Sequence, residues 1–320
     1  MVKKDLSLKS LELFQVCARH GSLQAAARDA GLSVSTVSHH LRGLEDHLGV
    51  PLFNHSTRPM VLTAKGEAFL HNIDAALYAI RRAKAEAAAG GVAGASHLRL
   101  GTIEDFDSDI IPELAVFLSG AMPRCALSFH TDSSHTILEM LRSRQLVLGI
   151  TTRPSERNRD LLERPLLRDP FVIVLPVGME DTLEDVIGGR TKLPLLRFSS
   201  NLIIARQIEA QLRRSGPSVP RGFECSNNQT LMAMVASGAG WAISTPLLYA
   251  RARRFHGKVR MHAFPSKGFA RELAILATPD CARSVVDLID QRLRRLIKSH
   301  ALGPVHKAAP WLADSFALVT

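Results

Sequence analysis

Apolar residues recur at helical spacing in three short segments near the amino terminus. The pattern predicts a first helix that ends at Gly21 and a second, alanine-rich helix that follows the capping residue Ser22. Gly31 ends the second helix with the left-handed step that a tight turn needs. A third helix is predicted over residues 34–47, after the capping residue Ser33.

The third helix has two chemically distinct faces. One face carries a strict apolar stripe, formed by Val37, Leu41, Leu44 and Leu48. The opposite face carries Ser35, His39, Arg42 and Asp46, with Thr36 and Ser38 on its flanks, so its first half is hydroxyl-bearing or basic and acidic residues appear only later. An ordinary amphipathic helix with a solvated face accounts for this pattern. A helix that enters a major groove also accounts for it, because short hydroxyls permit close approach and His or Arg reaches bases or phosphates.

The residues after this helix predict a small two-stranded wing. An extended segment follows Gly49, and a second one covers residues 61–63. The turn between them carries the basic residues His55 and Arg58. A basic wing is a usual device for touching phosphates or an adjacent groove, so it favours the DNA-binding interpretation of the third helix.

The spacing of small and apolar residues over about sixty positions resembles the winged helix-turn-helix of LysR-type transcriptional regulators. The matching positions are Ser22, Ala25, Ala26, Leu32, Ser33, Ser35, Val37, Ser38, Leu44, Glu45, Leu48, Gly49, Leu52, Phe53, Leu62, Thr63 and Gly66. The resemblance implies that DNA is contacted by Val34, Ser35, Thr36, Ser38, His39, Arg42, His55 and Arg58. Two positions depart from the family pattern: Val34 stands where a residue such as Gln is usual, and His55 stands where Arg is usual.

A long helix is predicted next, over residues 64–90. Its apolar positions follow spacings of 3 and 4, at Phe69, Ile73, Ala76, Leu77, Ile80, Ala83 and Ala87. The resemblance implies that this linker helix pairs with its copy in a second subunit; the alternative is a helix that lies on its own domain. We therefore divide the amino-terminal part into a DNA-binding domain at 1–63, a dimerisation helix at 64–90 and a glycine-rich hinge at 91–96.

Strand and helix patterns alternate from residue 97 onward. This alternation predicts an α/β fold with mostly parallel sheets. The resemblance implies a two-lobed, periplasmic-binding-protein-like effector domain over 97–320, with lobe I at 97–167 and 268–320 and lobe II at 168–267. The tail at 299–320 either packs on lobe I or is disordered.

Ligands in such folds bind where loops and helix amino termini meet the carboxyl ends of strands. Nine residues occupy such positions: Thr102, Glu104, Asp105, Ser133, Ser134, Ser199, Ser200, Asn201 and Thr230. Hydroxyls and free backbone N–H groups at helix starts suit a small organic acid. Each of these residues taken alone is equally well explained as a helix cap.

Residues 104–109 form an acidic loop where the family often has neutral hydroxyl residues. The start of the following helix accommodates such charges. If Glu104 or Asp105 faces the cleft instead, an amine-bearing or zwitterionic effector replaces the organic acid as the hypothesis. Three basic residues are available to bind a carboxylate group of such a ligand, namely Arg153, Arg197 and Arg206.

Composition limits the possible partners and compartments of the protein but does not locate a binding site. The formal charge of +10 permits a polyanionic partner, but residues 1–90 carry 11 basic and 8 acidic side chains, a surplus of only +3. The four cysteines lie far apart, which disfavours a disulfide scaffold or a cysteine-based zinc site and favours a reducing cytosol. An uncharged stretch at 231–250 is long enough to span a bilayer, yet its Gly, Ser and Pro residues favour a buried helix, turn and strand.

Other classes of function are less well supported. A solute-binding protein is expected to carry an export signal and no DNA-binding head, and this sequence shows the opposite pattern. An enzyme is expected to show a catalytic motif, and none of the common catalytic motifs occurs here. The sequence predicts a cytoplasmic regulator that binds a double-stranded DNA operator and a small-molecule effector, either an organic acid, an amino acid or an amine. A homodimer or homotetramer is also expected, as is a contact with RNA polymerase. No catalytic residue, metal, cofactor or membrane association is expected.

Overall fold

The computed structural model describes residues 6–54, 56–57, 59–89, 97–154, 160–179, 182–215, 221–264 and 268–319. The chain divides into two compact units, Met1–Lys84 and Ala85–Thr320. Among the described residues, no helix combines the length and apolar character that a membrane span requires.

The first unit contains three short helices, a two-stranded wing and most of a long helix. Its elements are α1 (Leu8–His20), α2 (Leu23–Ala30), α3 (Val34–Leu48), β1 (Phe53–Asn54), β2 (Val61–Leu62) and α4 (Ala64–Ala89). A serine side chain accepts a backbone hydrogen bond at the start of each of the first three helices, and a left-handed glycine ends each of them. These local signals explain why the predicted helices match the observed ones.

The wing is held to α3 by a glutamate. The Oε1 atom of Glu45 accepts hydrogen bonds from the backbone N–H groups of Leu52 (2.8 Å) and Phe53 (3.1 Å). The core beneath centres on Phe14, whose ring makes edge contacts with Phe53 and Phe69 at 5.2 and 5.5 Å between centroids. The wing strand and α4 therefore share one core with α1.

The apolar positions of α4 serve two different surfaces. Ile73 and Leu77 are buried in the core of the first unit, with Phe69 packed beside them. Ile80 is 37% exposed. The prediction of one continuous seam for a second subunit is wrong for the buried positions, because the helix lies on its own domain along that side. The exposed positions are Ala76, Ile80 and Ala83, while the side chain of Ala87 lies outside the described residues.

The second unit is built from two sheets flanked by helices. Its strands are β3 (His97–Thr102), β4 (Ala126–Thr131), β5 (Leu148–Thr152), β6 (Leu162–Pro170), β7 (Val172–Pro176), β8 (Leu195–Phe198), β9 (Arg221–Cys225), β10 (Trp241–Ser244), β11 (Val259–Ala263), β12 (Ala270–Ala277) and β13 (Ala317–Leu318). Its helices are α5 (Ile110–Ala121), α6 (Ser134–Arg142), α7 (Leu183–Ile187), α8 (Ile203–Ser215), α9 (Asn228–Ala236), α10 (Pro246–Arg251), α11 (Arg283–Ile297) and α12 (Gly303–Ala308).

Both sheets are mixed, so the expectation of mostly parallel sheets is wrong. The six-stranded sheet has the order β13-β6-β12-β5-β3-β4, and only the β5-β3-β4 part is parallel. The five-stranded sheet has the order β11-β7-β10-β8-β9, and only β10-β8-β9 is parallel. The antiparallel pairs involve the four strands next to the crossings between the sheets, β6, β7, β11 and β12, and the terminal strand β13.

The chain leaves the first sheet after Pro170 and re-enters it at Ala270. The two crossings touch each other. The backbone N–H of Phe171 donates to the carbonyl of Phe269 (2.8 Å), and the two rings stack with 4.1 Å between centroids. Both connections between the sheets are therefore joined side by side.

The carboxyl-terminal tail packs on the first sheet, which decides between the two alternatives left open by the sequence. Strand β13 pairs antiparallel with β6 through Leu318 and Leu167. Phe316 is fully buried, and Nε2 of His306 donates a hydrogen bond to its carbonyl oxygen (2.9 Å). The uncharged stretch at 231–250 folds as the end of α9, β10 and most of α10.

Gly66→Ala is expected to destabilise the first unit by about 1–3 kcal/mol through overpacking. A Cβ atom at this position would collide with the backbone carbonyl oxygen of Leu52. Gly43→Ala is the matched control, since it lies inside α3 with nothing within 4 Å of the added atom. That variant is expected to gain about 0.5–1 kcal/mol of stability. Calorimetric unfolding of the full chain compares the two, and equal effects would contradict the predicted contact.

Candidate functional site

Five of the six predicted DNA-contacting residues of α3 lie on its outer side. Val34, at the first turn, is on the same side of the helix as Val37 and Leu41, but it is 43% exposed, whereas those two residues are buried. The other predicted residues form one band of exposed or half-buried side chains, namely Ser35, Thr36, Ser38, His39 and Arg42. This band is polar and carries no acidic side chain.

Hydroxyl groups cluster at the start of α3. The Oγ atom of Ser33 accepts a hydrogen bond from the backbone N–H of Thr36 (3.1 Å) and lies 2.8 Å from the hydroxyl oxygens of both Ser35 and Thr36. The start of α3 therefore carries small side chains, and a large anionic partner can approach its backbone closely. His55 and Arg58, the predicted wing contacts, lie outside the described residues. The wing strands themselves pair Phe53 with Leu62.

A cavity of about 410 Å³ lies between the two sheets of the second unit. Its size falls in the range of small-molecule sites. Its lining residues are Ile103, Glu104, Asp105, Thr131, Asp132, Ser133, Ser134, Thr152, Phe198, Leu202, Ile203, Ile204, Ser226, Leu248 and Arg271. Four of the nine predicted effector residues are among them: Glu104, Asp105, Ser133 and Ser134.

The other predicted effector residues lie outside the cavity lining that the described residues form. Thr102 is completely buried, and its hydroxyl donates to the carbonyl of Ile103 (3.2 Å). Thr230 is an exposed residue in the first turn of α9, and its N–H donates to the Asn227 side chain (3.3 Å). The turn before α8 is formed by Ser199, Ser200 and Asn201. The residues that line the cavity at this point are the apolar ones that follow them, Leu202, Ile203 and Ile204.

Glu104 connects the two lobes across the cavity. One of its carboxylate oxygens accepts from the backbone N–H of Asn228 (3.1 Å), and the other accepts from the side-chain amide of Asn227 (2.9 Å). Asn227 and Asn228 form the start of α9, on the opposite lobe. Arg251 lies 3.6 Å from the same carboxylate. The charge of Glu104 is therefore placed at a helix amino terminus, as predicted for the acidic loop, but the helix is α9.

The helix that follows the acidic loop does not take up the loop charges through side-chain caps. Asp109, the residue before α5, makes no hydrogen bond of that kind and lies 3.5 Å from Arg253. Asp107 accepts a hydrogen bond from the hydroxyl of Thr131 (2.9 Å). Burial raises the pKa of Asp107 despite this hydrogen bond. Asp107 and Asp109 therefore stand close to the start of α5, but their side chains bind partners elsewhere in the chain and not its backbone N–H groups.

A buried arginine forms part of the cavity floor. Arg271, on β12, is 4% exposed; its guanidinium donates through Nε to Asp169 (2.9 Å) and through Nη2 to Asp105. The same Nη2 donates to the hydroxyl of Thr245 (3.1 Å), and Asp169 accepts the backbone N–H of Leu247 (3.2 Å). Burial raises the pKa of Asp169, while the neighbouring guanidinium opposes that shift. This cluster joins β12, β6, the loop after β3 and the start of α10.

The arginines proposed from the sequence to bind a ligand carboxylate are occupied elsewhere. Arg153 donates to Glu163 and Glu272, both at 2.6 Å, on the surface. Arg197 pairs with Glu209. Arg206 donates weakly to the carbonyl of Asn201 (3.4 Å). Among the described residues, the one arginine that lines the cavity is Arg271, which sequence reasoning missed.

Asp132 is the second cavity residue that sequence reasoning missed. One of its oxygens accepts the backbone N–H of Ser133 (2.6 Å) at the start of α6, and the other lies 3.6 Å from His130. Partial burial opposes ionisation, but these neighbours prevail and lower the pKa of Asp132. The sequence signal that could have identified Asp132 is its position directly before the predicted residues Ser133 and Ser134. Across the described residues, no three His, Cys, Asp or Glu side chains are grouped in a way that could hold a metal ion.

Two family descriptions match the chain: "Bacterial regulatory helix-turn-helix protein, lysR family" over residues 8–67 and "LysR substrate binding domain" over residues 93–294. An uncharacterized HTH-type transcriptional regulator, YfeR of Shigella flexneri, is 27% identical over 243 residues, covering 75% of this chain and 78% of the relative. A probable hydrogen peroxide-inducible genes activator of Mycobacterium xenopi is 31% identical over 188 residues, covering 59% of this chain and 96% of the relative.

A solved structure with the same fold is full-length OxyR from Pseudomonas aeruginosa. It superimposes with a TM-score of 0.58 at 23% identity, covering 91% of this chain and 95% of that one. HinK, a LysR family transcriptional regulator from the same species, gives a TM-score of 0.51 at 18% identity, covering 91% of this chain and 98% of that one. Each superposition extends over most of both chains.

Arg271→Met is expected to lower the free energy of unfolding by about 3–5 kcal/mol, because it leaves two buried carboxylates without their cation. The pKa of Asp169 is already raised, so the folded variant takes up a proton more readily than the unfolded chain as the pH falls. The loss is therefore expected to be largest above neutral pH and to shrink toward pH 5.

Arg153→Met is the matched control for this prediction. Arg153 also bridges two carboxylates, but its side chain is 44% exposed. The control is expected to cost at most about 1 kcal/mol. Denaturant unfolding at several pH values measures both variants. A cost for Arg271→Met no greater than that of the control would show that the buried cluster is dispensable.

Proposed function

The chain belongs to the LysR family of bacterial transcriptional regulators, and from this premise we propose how it acts. The outer side of α3 binds a double-stranded DNA operator in a sequence-specific manner. A small molecule bound in the cavity between the two sheets of the second unit controls that binding. The observation that carries the proposal is the exposed polar band of α3, which begins at a helix start lined by hydroxyl groups.

The physical basis of DNA binding is the contrast between the two sides of α3. The buried stripe, with Val37 and Leu41 in it, fixes the helix on its domain, so the outer side is presented in one orientation. Arg42 and His39 are long enough to reach base edges or phosphates, and Ser35 allows the backbone to come close. Val34 offers a methyl surface rather than hydrogen bonds. An apolar contact with a thymine methyl group is the readout that its chemistry suits.

Two DNA-binding heads require a dimer, and the exposed part of α4 is the surface that we assign to it. Ala76, Ile80 and Ala83 are exposed at spacings of 4 and 3, which gives a narrow apolar stripe. The small side chains at either end allow close packing of two helices. The buried residues of the same helix already hold it to its own domain, so a dimer would set the distance between two α3 helices.

Some relatives are named for hydrogen peroxide response, but the thiols of this chain do not suit that chemistry. Peroxide reacts with a thiolate, which needs a lowered pKa and access. Burial raises the pKa of all four cysteines, to about 11 for Cys17 and to about 12 for Cys281, and also raises it for Cys125 and Cys225. None of the four lines the cavity. The proposal is therefore reversible binding of a small molecule.

Arg42→Ala is expected to weaken binding to a selected operator by about 1–3 kcal/mol, because it removes a direct contact to base or phosphate. Ser35→Ala is expected to weaken it less. Lys84→Ala removes the same charge from an exposed position of α4 and is expected to leave sequence preference intact. The operator is first selected from a duplex library with the full chain, and gel-shift titration compares the variants. Unchanged affinity for both α3 variants would remove this surface from the proposal.

Ile80→Asp is expected to shift the protein toward monomers, because the added carboxylate would be buried between two copies of α4. The expected increase in the dimer dissociation constant is at least about tenfold, or 1.4 kcal/mol. Ala64→Asp adds the same charge at an exposed alanine about 160° around the same helix from Ile80 and is the matched control. Sedimentation velocity measures both. A dimer that tolerates Ile80→Asp as well as the control would place the interface elsewhere.

A further inference from the structure

The charged groups of the cavity are mostly acidic. Among the described lining residues, the carboxylates of Glu104, Asp105 and Asp132 face a single guanidinium, that of Arg271. That guanidinium is already bound by Asp105 and by Asp169 beneath it. A ligand carboxylate would therefore meet a cation whose charge is neutralised and carboxylates that repel it.

Two of the helix starts beside the cavity, those of α6 and α9, are partly filled by side chains of the same chain. At α6, Asp132 takes the backbone N–H of Ser133 at 2.6 Å, and the Ser133 hydroxyl oxygen takes that of Thr136 at 3.3 Å. At α9, Glu104 takes the N–H of Asn228. Such N–H groups are the usual receptors for a bound anion. In this chain, the carboxylates of Asp132 and Glu104 accept hydrogen bonds from such N–H groups.

The opposite wall of the cavity is apolar. Phe198 ends β8, and Leu202, Ile203 and Ile204 lead into α8 beside it; Leu248 of α10 completes the wall. A ligand that satisfies both walls has an apolar body and a positive end. The ring of Phe198 adds a face that attracts a cation.

We propose that the effector of this regulator is an organic cation, an ammonium group on an apolar body, and that Asp132 is the residue that selects its charge. The proposal rests on the proposed function, since it names the ligand class of the same cavity. Asp132 is the best placed selector because its side chain is 40% exposed at the cavity rim. Glu104 and Asp105, in contrast, are tied into contacts between elements.

Three probes of similar size and shape test the charge preference: 2-phenylethylammonium, 3-phenylpropanoate and 2-phenylethanol. Each is added to the full-length protein at neutral pH, and thermal unfolding and calorimetric titration report binding. The ammonium probe is expected to raise Tm and to bind at least about tenfold more tightly than the carboxylate, which corresponds to 1.4 kcal/mol. The uncharged alcohol is expected to fall between them.

Asp132→Asn tests the assigned selector. Asparagine keeps an oxygen that can accept the N–H of Ser133, so the start of α6 is preserved while the charge is lost. The variant is expected to bind the ammonium probe about tenfold more weakly and the carboxylate probe more tightly than the wild type. Glu139→Gln makes the same change of charge on α6 at a residue with a 60% exposed side chain, and is expected to change neither affinity.

Each outcome decides the matter. Preference of the wild type for the carboxylate overturns the cation proposal and leaves small-molecule control of the regulator intact. Equal effects of Asp132→Asn and Glu139→Gln overturn the role of Asp132. Failure of all three probes to bind overturns the proposed ligand class, while DNA binding is decided separately by the operator titration.

Discussion

The second unit depends on a single buried cation. Arg271 connects Asp105, which follows the first strand of one sheet, with Asp169, where the chain is about to cross to the other. Both carboxylates are buried, and neither is tolerable there without a positive partner. Because the same guanidinium reaches Thr245 at the start of α10, one side chain fixes the floor of the cavity and the place where the chain changes sheets. The floor of the cavity is thus held by charge pairs within the chain itself.

Local signals made the first unit predictable. Each short helix begins at a serine and ends at a glycine, so the boundaries follow from neighbouring residues alone. The long helix was less predictable for a physical reason. Its apolar positions extend over more than one face, and sequence spacing does not say which of them its own domain covers. Ile73 and Leu77 turned inward, whereas Ile80 remained exposed.

The cavity was only partly predictable because its polar groups pair over long distances in the chain. Loop position correctly placed Glu104 and Ser133 at the cavity, since strand ends converge there. It failed for Asn201, because the turn before α8 presents its apolar neighbours to the cavity. Arg271 lies in a strand and pairs with Asp105, 166 residues away, and no local pattern marks such a contact. The alternation of strands and helices indicated the α/β class, but not the antiparallel pairing that the crossings impose.

The stacked rings of Phe171 and Phe269 have a mechanical consequence. They and the hydrogen bond beside them join the two connections between the sheets into one strap at Phe171 and Phe269. A strap of two joined strands bends readily about one axis but resists shearing of one strand past the other. Movement of one sheet against the other is therefore expected to be a swing about this strap and not a slide along it.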